Sequence, residues 1–264
     1  MKITVFTCNQ PRHNYLINLL SKIADELYVV QECYTIFPGK NKGLYKKNLL
    51  VKKYFKKVKL AEKKIFKDSI IENNNKLKKI LPLSFGDLNK CSTELLKNFL
   101  KSDIYIVFGC SFIKGKLANF LIEKKALNIH IGVAPFYRGT DCNFWALLDK
   151  NSDLVGATVH YLSKKLDGGK ILFHALSEHN EDPFLYSMST VKSAFFAITK
   201  YIKENKKKIK TYSQNKKDLV RYSRRADFNN KSIQSFFKSK IQRKDKISGN
   251  FKNPFILKKT QYFK

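Results

Sequence analysis

The chain reads as an α/β protein with a doubly wound, mostly parallel central sheet flanked by helices and a small C-terminal appendage. Three observations predict this class. Residues 2–32 spell a β-α-β unit. Asp103–Phe108 is a continuous apolar run, the pattern of a strand buried on both faces, and it opens into a Gly109-Cys110-Ser111 loop and a helical stretch. Residues 126–173 alternate short apolar strands with polar and glycine-rich turns, so polar groups fall at strand ends, where a sheet protein places a reacting site.

In order, Lys2–Thr7 is a strand, Asn9–His13 a polar loop, and Asn14–Ala24 a helix with Leu16, Ile17, Leu19, Leu20 and Ile23 on one face. Glu26–Gln31 is the next strand. The loop between strand and helix lacks G-x-G-x-x-G, so dinucleotide binding is not supported. Arg12 lies beside a helix N-terminus, which suits an anion and equally suits a plain surface arginine. Residues 38–80 are lysine-rich. Leu49–Phe66 has helical spacing within them and reads as a peripheral insertion with a solvated face. Ile80–Gly86 reads as a short strand, Thr93–Leu100 as a helix and Lys114–Lys125 as another. Val155–Leu162 and Gly169–Ala175 are strands. Phe184–Lys203 is a long amphipathic helix entered after Asp182-Pro183. Residues 1–205 form the main domain. Residues 206–264 are polar and basic with scattered aromatic islands, and read as a loosely packed appendage or tail.

Across 264 residues, 43% hydrophobic content with 13% aromatics suffices for a real core. No apolar run is long enough to span a bilayer. Lys2–Thr7 alternates like a strand rather than a signal peptide, which places the protein in the cytoplasm. The net charge of +31 raises a nucleic-acid module as a competing class. Its carriers are nearly all lysines spread over many segments, whereas specific phosphate and base recognition leans on arginine forks. No specific nucleic-acid partner is therefore expected, and no membrane partner. The five cysteines are widely spaced with no C-x-x-C, so neither a metal site nor a disulfide framework is signalled.

The chemistry concentrates in residues 126–173. Asn128 and His130 are two apart on a strand, so they share a face about 7 Å apart. An amide donor and an imidazole on one face can hold an oxyanion and move a proton near neutral pH. Asp167, in the turn Leu166-Asp167-Gly168-Gly169, can orient the imidazole or a water. No nucleophile elbow and no His-Glu-x-x-His is present, so the set suits direct transfer between two bound substrates better than covalent catalysis. Structural roles fit the same residues: Asn128 as a strand terminator, His130 as a hydrogen-bonded core histidine, Asp167 as a turn former. His160, alternating with Thr158, reads as a cross-strand pair, and Phe144 and Trp145 read as packing.

Asn128-Ile129-His130, Pro135-Phe136-Tyr137-Arg138-Gly139, Gly156 to His160 and Leu166 to Gly169, in this order and spacing, resemble the formyltransferases that use N10-formyltetrahydrofolate. That family includes glycinamide ribonucleotide transformylase, methionyl-tRNA formyltransferase and the sugar N-formyltransferases. The resemblance covers residues 1 to about 200. It implies a Rossmann-like formyltransferase fold and a catalytic set of Asn128, His130 and Asp167. It also implies a folate pocket lined by Phe112, Ile113 and Lys114 with Leu162, Ser163, Lys164 and Lys165, partly through backbone groups.

The chain departs from the family pattern at Ile131-Gly132, where Pro-Ser is frequent. Its first βα loop differs from the glycine-rich phosphate loop of the purine enzyme. The segment after Lys206 is short beside the C-terminal β-barrel of the tRNA enzyme. Elimination leaves the sugar N-formyltransferases. The implied acceptor is then a small-molecule amine on a sugar nucleotide, met by Asn9, Arg12 and Arg138, with a homodimer as the expected assembly and no metal. Formyl transfer to another amine and hydrolysis of formyl-folate are the other enzymatic readings.

Overall fold

The computed structural model describes residues 1–34, 48–204, 210–239 and 251–257. The first half runs β1 (Lys2–Cys8), α1 (Pro11–Ser21), β2 (Glu26–Cys33), α2 (Leu49–Phe66), β3 (Leu77–Ser84), β4 (Ile104–Val107), α3 (Gly115–Glu123) and β5 (Leu127–His130). The second half runs β6 (Tyr137–Gly139), α4 (Cys142–Leu148), β7 (Ala157–Tyr161), β8 (Ile171–Ser177), α5 (Pro183–Lys203), β9 (Arg221–Ser223), α6 (Asn230–Lys238) and β10 (Phe255–Leu257).

Eight strands form one sheet in the order β10-β8-β7-β5-β4-β1-β2-β3. The run from β3 to β5 is parallel throughout, β7 is antiparallel to both neighbours, and β10 is parallel to β8. The mostly parallel α/β sheet expected from the sequence is present. Central β4 is buried at all four positions. Edge strand β3 carries Lys78, Lys79 and Pro82, which discourage further strand pairing. One core lies under α1, α2, α4, α5 and α6, and a second, built on Leu96, Phe99, Leu117 and Leu121, covers the opposite face. Among the described residues no helix is long and apolar enough to cross a membrane.

Several elements differ from expectation. Helix α1 begins at Pro11 rather than Asn14, because proline suits the first helical position, where its missing N–H costs nothing. Arg12 and His13 therefore lie in the first turn. Helix α2 has the expected bounds and is capped by Asn48, whose side chain accepts from the amides of Leu50 and Val51. It is not peripheral: Val51, Tyr54, Ala61, Glu62 and Phe66 are buried. Residues 38–47 of the expected insertion lie outside the described residues. Residues 93–100 form irregular turns rather than a helix. Three-residue bonds such as Phe99 N to Leu96 O, 2.8 Å, interrupt four-residue ones such as Leu100 N to Leu96 O, 3.1 Å.

The C-terminal residues correct a further expectation. The described part of 206–264 is woven into the main body rather than loosely attached. Strand β9 pairs with β6, β10 extends the central sheet, and Phe228, Ile233 and Phe236 are buried in the main core. Phe236 stacks on Phe144 at 4.7 Å and meets Tyr54 and Phe184 edge-on, each at 5.8 Å. The scattered aromatic islands of the sequence are its anchors.

Candidate active site

The antiparallel register between β5 and β7 sets Asn128 opposite His160 and His130 opposite Thr158. Asn128 Nδ2 lies 3.0 Å from His160 Nε2, and His160 Nδ1 lies 2.8 Å from Tyr161 O. These partners assign a neutral ring that donates from Nδ1 and accepts the Asn128 amide at Nε2. The second N–H of Asn128 remains for a ligand. Thr158 supports the strand end, accepting from the Ala134 amide at 2.9 Å and donating to Gly132 O at 2.7 Å. At Gly132 a Cβ would lie 2.5 Å from that of Cys142 and 2.6 Å from His130 Nε2. Glycine at this departure from the family pattern lets α4 close against the histidine.

Asp167 enters from the turn between β7 and β8, in a left-handed conformation with φ 49°. Its Oδ2 is 3.4 Å from His130 Nδ1 and accepts from the Gly139 amide at 3.2 Å, while Oδ1 is 3.8 Å from His160 Nε2. The turn is clamped by Gln214, whose Nε2 donates to Asp167 O at 2.7 Å and Gly169 O at 2.8 Å. Close approach requires glycine beside it: a Cβ at Gly169 would fall 1.7 Å from Tyr161 O. Gly139, with φ 99°, has no such room either, since a Cβ there would lie 2.0 Å from Ser223 O.

The charges follow from burial and proximity. Burial alone would raise the Asp167 carboxyl. His130, the nearby His160 ring and the Gly139 amide outweigh it and lower the carboxyl to about 2. Burial pushes His130 below the ordinary imidazole range, against the pull of Asp167. Asp167 is therefore ionised and His130 neutral near pH 7. Both His130 nitrogens face oxygen atoms, since Nε2 is also 3.1 Å from Tyr137 O. A neutral ring can donate to only one of them, so the ring is poised to take up a second proton beside the Asp167 carboxylate.

These side chains lie along a cleft of about 710 Å³. That is within the range of small-molecule sites. Phe112, Ile113 and Lys114 line one wall and Leu162, Ser163, Lys164 and Lys165 another, so all seven expected folate-pocket residues meet Asn128, His130 and Asp167 in one cavity. The loop after β4 is pinned from behind. Asn89 donates to Phe112 O at 2.9 Å and accepts from the Lys114 amide at 2.7 Å. The buried Glu32 carboxylate accepts from Ser111 N at 2.6 Å and Ser111 Oγ at 2.9 Å, and also from the amides of Gly86 and Leu88.

The expected acceptor-side residues fare differently. Arg12 lines a second pocket, of about 240 Å³, together with Tyr54, Phe184 and Asp141, and is paired with Glu62 at 2.7 Å. Asn9 lines neither cavity. Its side chain joins the ends of β1 and β2, donating to Tyr34 O and accepting from Tyr34 N, both at 3.1 Å. Arg138 also lines neither cavity. It donates to Leu166 O, lies over the Tyr222 ring at 6.0 Å and so braces the turn carrying Asp167. Sequence reasoning missed His160 as a member of the site, although its alternation with Thr158 put it on the relevant face. It also missed Asp141 and Gln214, for which no local pattern exists. Phe144 and Trp145 are core residues, as read from the sequence.

Comparison with known proteins agrees with this geometry. Residues 87–178 match the family model described as formyl transferase. No curated protein matches the chain by sequence. Among solved structures, a sugar N-formyltransferase from a Shewanella species superposes with a TM-score of 0.54 at 13% identity, covering 99% of this chain and 94% of that one. A 4-N formyltransferase from Francisella tularensis gives 0.52 at 20% identity, covering 86% and 77%. An N-formyltransferase from Helicobacter canadensis, in complex with folinic acid and dTDP-3-aminofucose, gives 0.51 at 15% identity, covering 89% and 79%. At such identities the likeness is one of fold. The formyl transferase match, over residues 87–178, spans Asn128, His130 and Asp167 within that fold.

Proposed function

We propose that the protein transfers the formyl group of N10-formyltetrahydrofolate to the primary amine of a nucleotide-linked amino sugar. The observation that carries this reading is the meeting of two cavities at one catalytic set. The larger cleft holds the expected folate-lining residues, and the Arg12 pocket joins it at Ile131 and Asp141. Phe112, Ile113 and Leu162 offer apolar walls for a flat heterocycle, and the backbone of the Gly109–Lys114 loop offers polar groups to its edge. When bound, the donor supplies an electrophilic formyl carbon and N10 as leaving nitrogen.

The residues then divide the work. The open N–H of Asn128 and the His130 ring stabilise the oxygen that becomes negative as the amine attacks. The Asp167 carboxylate stabilises His130 when it holds a proton and lets it pass that proton onward to the departing nitrogen. His160 fixes the Asn128 amide by accepting one of its two N–H groups. Arg12 meets the phosphates or sugar of the acceptor.

The acceptor class is favoured by the solved neighbours named for 4-N and sugar N-formylation and by the complex with dTDP-3-aminofucose. A homodimer belongs to the same reading, and sedimentation equilibrium checks it. The test of function is formylation of dTDP-3-aminofucose or a UDP-linked amino sugar by the purified chain with N10-formyltetrahydrofolate, read by mass spectrometry. Product that depends on His130 supports the reading. Donor consumed only by methionyl-tRNA or glycinamide ribonucleotide contradicts the acceptor class.

A further inference from the structure

Asp141 lies at the junction of the two cavities. It and Ile131 are the residues that line both, and Asp141 is the charged one. It occupies the N-cap position of α4, where an aspartate ordinarily accepts a backbone N–H of the first turn. Here the side chain makes no such bond, and the residue sits in a left-handed conformation, φ 55° and ψ 34°. Such a conformation costs a side-chain-bearing residue energy and clusters at functional sites. The carboxylate is thus turned away from its ordinary structural use and is accessible to solvent through the cavities.

We propose that Asp141 receives the ammonium group of the acceptor as an ion pair and takes one of its protons, releasing the neutral amine for attack. The inference rests on the acceptor being an amine, as proposed above. A protonated amine has no lone pair, so a proton must leave it before attack, and a carboxylate where the Arg12 pocket joins the cleft is placed to take the first one. The protons balance. Of the ammonium's three, Asp141 takes one and later releases it to solvent, a second reaches N10 as the carbon–N10 bond breaks, and the third stays on the new amide. Desolvation by the neighbouring protein, partly offset by Arg225 and Thr140, raises the Asp141 carboxyl to about 6. It is a stronger base than an ordinary carboxylate and is still ionised at neutral pH.

The test is Asp141→Asn, since asparagine tolerates left-handed backbone and keeps the shape. Calorimetry measures binding of folinic acid, of dTDP-3-aminofucose and of dTDP-fucose, whose hydroxyl replaces the amine. The wild-type protein is expected to prefer the amine by about tenfold, as loss of one hydrogen bond to a charged group implies. The variant should bind the two sugars within about twofold of each other and bind folinic acid unchanged. An amine preference that survives in the variant overturns the role of Asp141. A wild-type protein that binds folinic acid but shows no preference for the amine overturns both that role and the acceptor class. Failure of the wild type to bind folinic acid overturns the proposed function, and the inference with it.

Discussion

The Asp167 carboxylate stands 3.4 Å from Nδ1 of His130, from a turn in which Asp167 adopts a left-handed backbone. Three neighbours share the carboxylate: His130, His160 and the Gly139 amide. Replacing Asp167 by Asn keeps the turn, because asparagine accepts positive φ, and removes the charge that stabilises protonated His130. The formyl-transfer kcat should fall by about 10²- to 10⁴-fold, the usual range for a proton-transfer group, while folinic acid binding stays within a few fold. Steady-state kinetics beside calorimetry checks this.

Glu32 acts at a distance from the chemistry. Its carboxylate holds Ser111 on one side and the Gly86–Leu88 turn on the other, without lining the cleft. Glu32→Gln turns one acceptor into a donor facing those N–H groups. The KM for N10-formyltetrahydrofolate should rise by about tenfold, the scale of one charge-assisted hydrogen bond, with kcat little changed. A fall in kcat alone would deny this positioning role.

Stability should depend on acid in two steps. His174 is buried between Ala134 O, 2.7 Å from Nε2, and the Lys252 amide, which donates to Nδ1 at 3.0 Å. Burial lowers its pKa to about 4 from 6.5, so the unfolded chain binds a proton that the folded chain refuses. Stability is therefore intact above pH 6.5 and is lost as pH falls through that value toward 4, by about 3 kcal/mol in all at about 1.4 kcal/mol per pKa unit. His130, also lowered, adds in the same direction. Asp167 is the opposite type of group with the same sign. Its stabilisation is present above its unfolded value of 3.8 and is lost as pH falls toward about 2. Urea unfolding across pH 7 to 3 should show decline beginning near 6.5, and replacing His174 by Gln should flatten the first step.

The C-terminal helix should behave as core. Phe236→Ala removes a ring packed on Phe144, Tyr54 and Phe184. A cost of about 3–5 kcal/mol is expected from the cavity and lost burial, read as a lower urea midpoint with an unchanged slope. A loss below about 0.5 kcal/mol, the range for surface substitutions, would return α6 to the status of a loose appendage.

The parts legible in the sequence are those whose signal is local. The strands β1, β2 and β4, the helices α2 and α5, and the pairing of Asn128 with His130 on one face all follow from periodicity over a few residues. The resemblance added Asp167 and the two loops expected to line a folate pocket, and the structure gathers them in one cleft. What escaped depends on contacts between distant segments. Phe228 and Phe236 look like islands in a polar tail until α2 and α4 supply their partners. Arg138 looks like an acceptor ligand until Leu166 is placed beside it. Asn9 looks like a site residue until β2 brings Tyr34 against it. His160 was visible as an alternating residue, but its partnership with Asn128 required the register of β5 on β7.

The most direct test of the central claim is the consumption of N10-formyltetrahydrofolate by the wild-type chain and by His130→Ala, with and without an amino-sugar nucleotide such as dTDP-3-aminofucose. Tetrahydrofolate released only when the amine is present, in step with formylated sugar and lost in the variant, is the predicted result. Equal release with and without any amine would make the protein a formyl-folate hydrolase. No consumption with any amine tested would contradict formyl transfer itself.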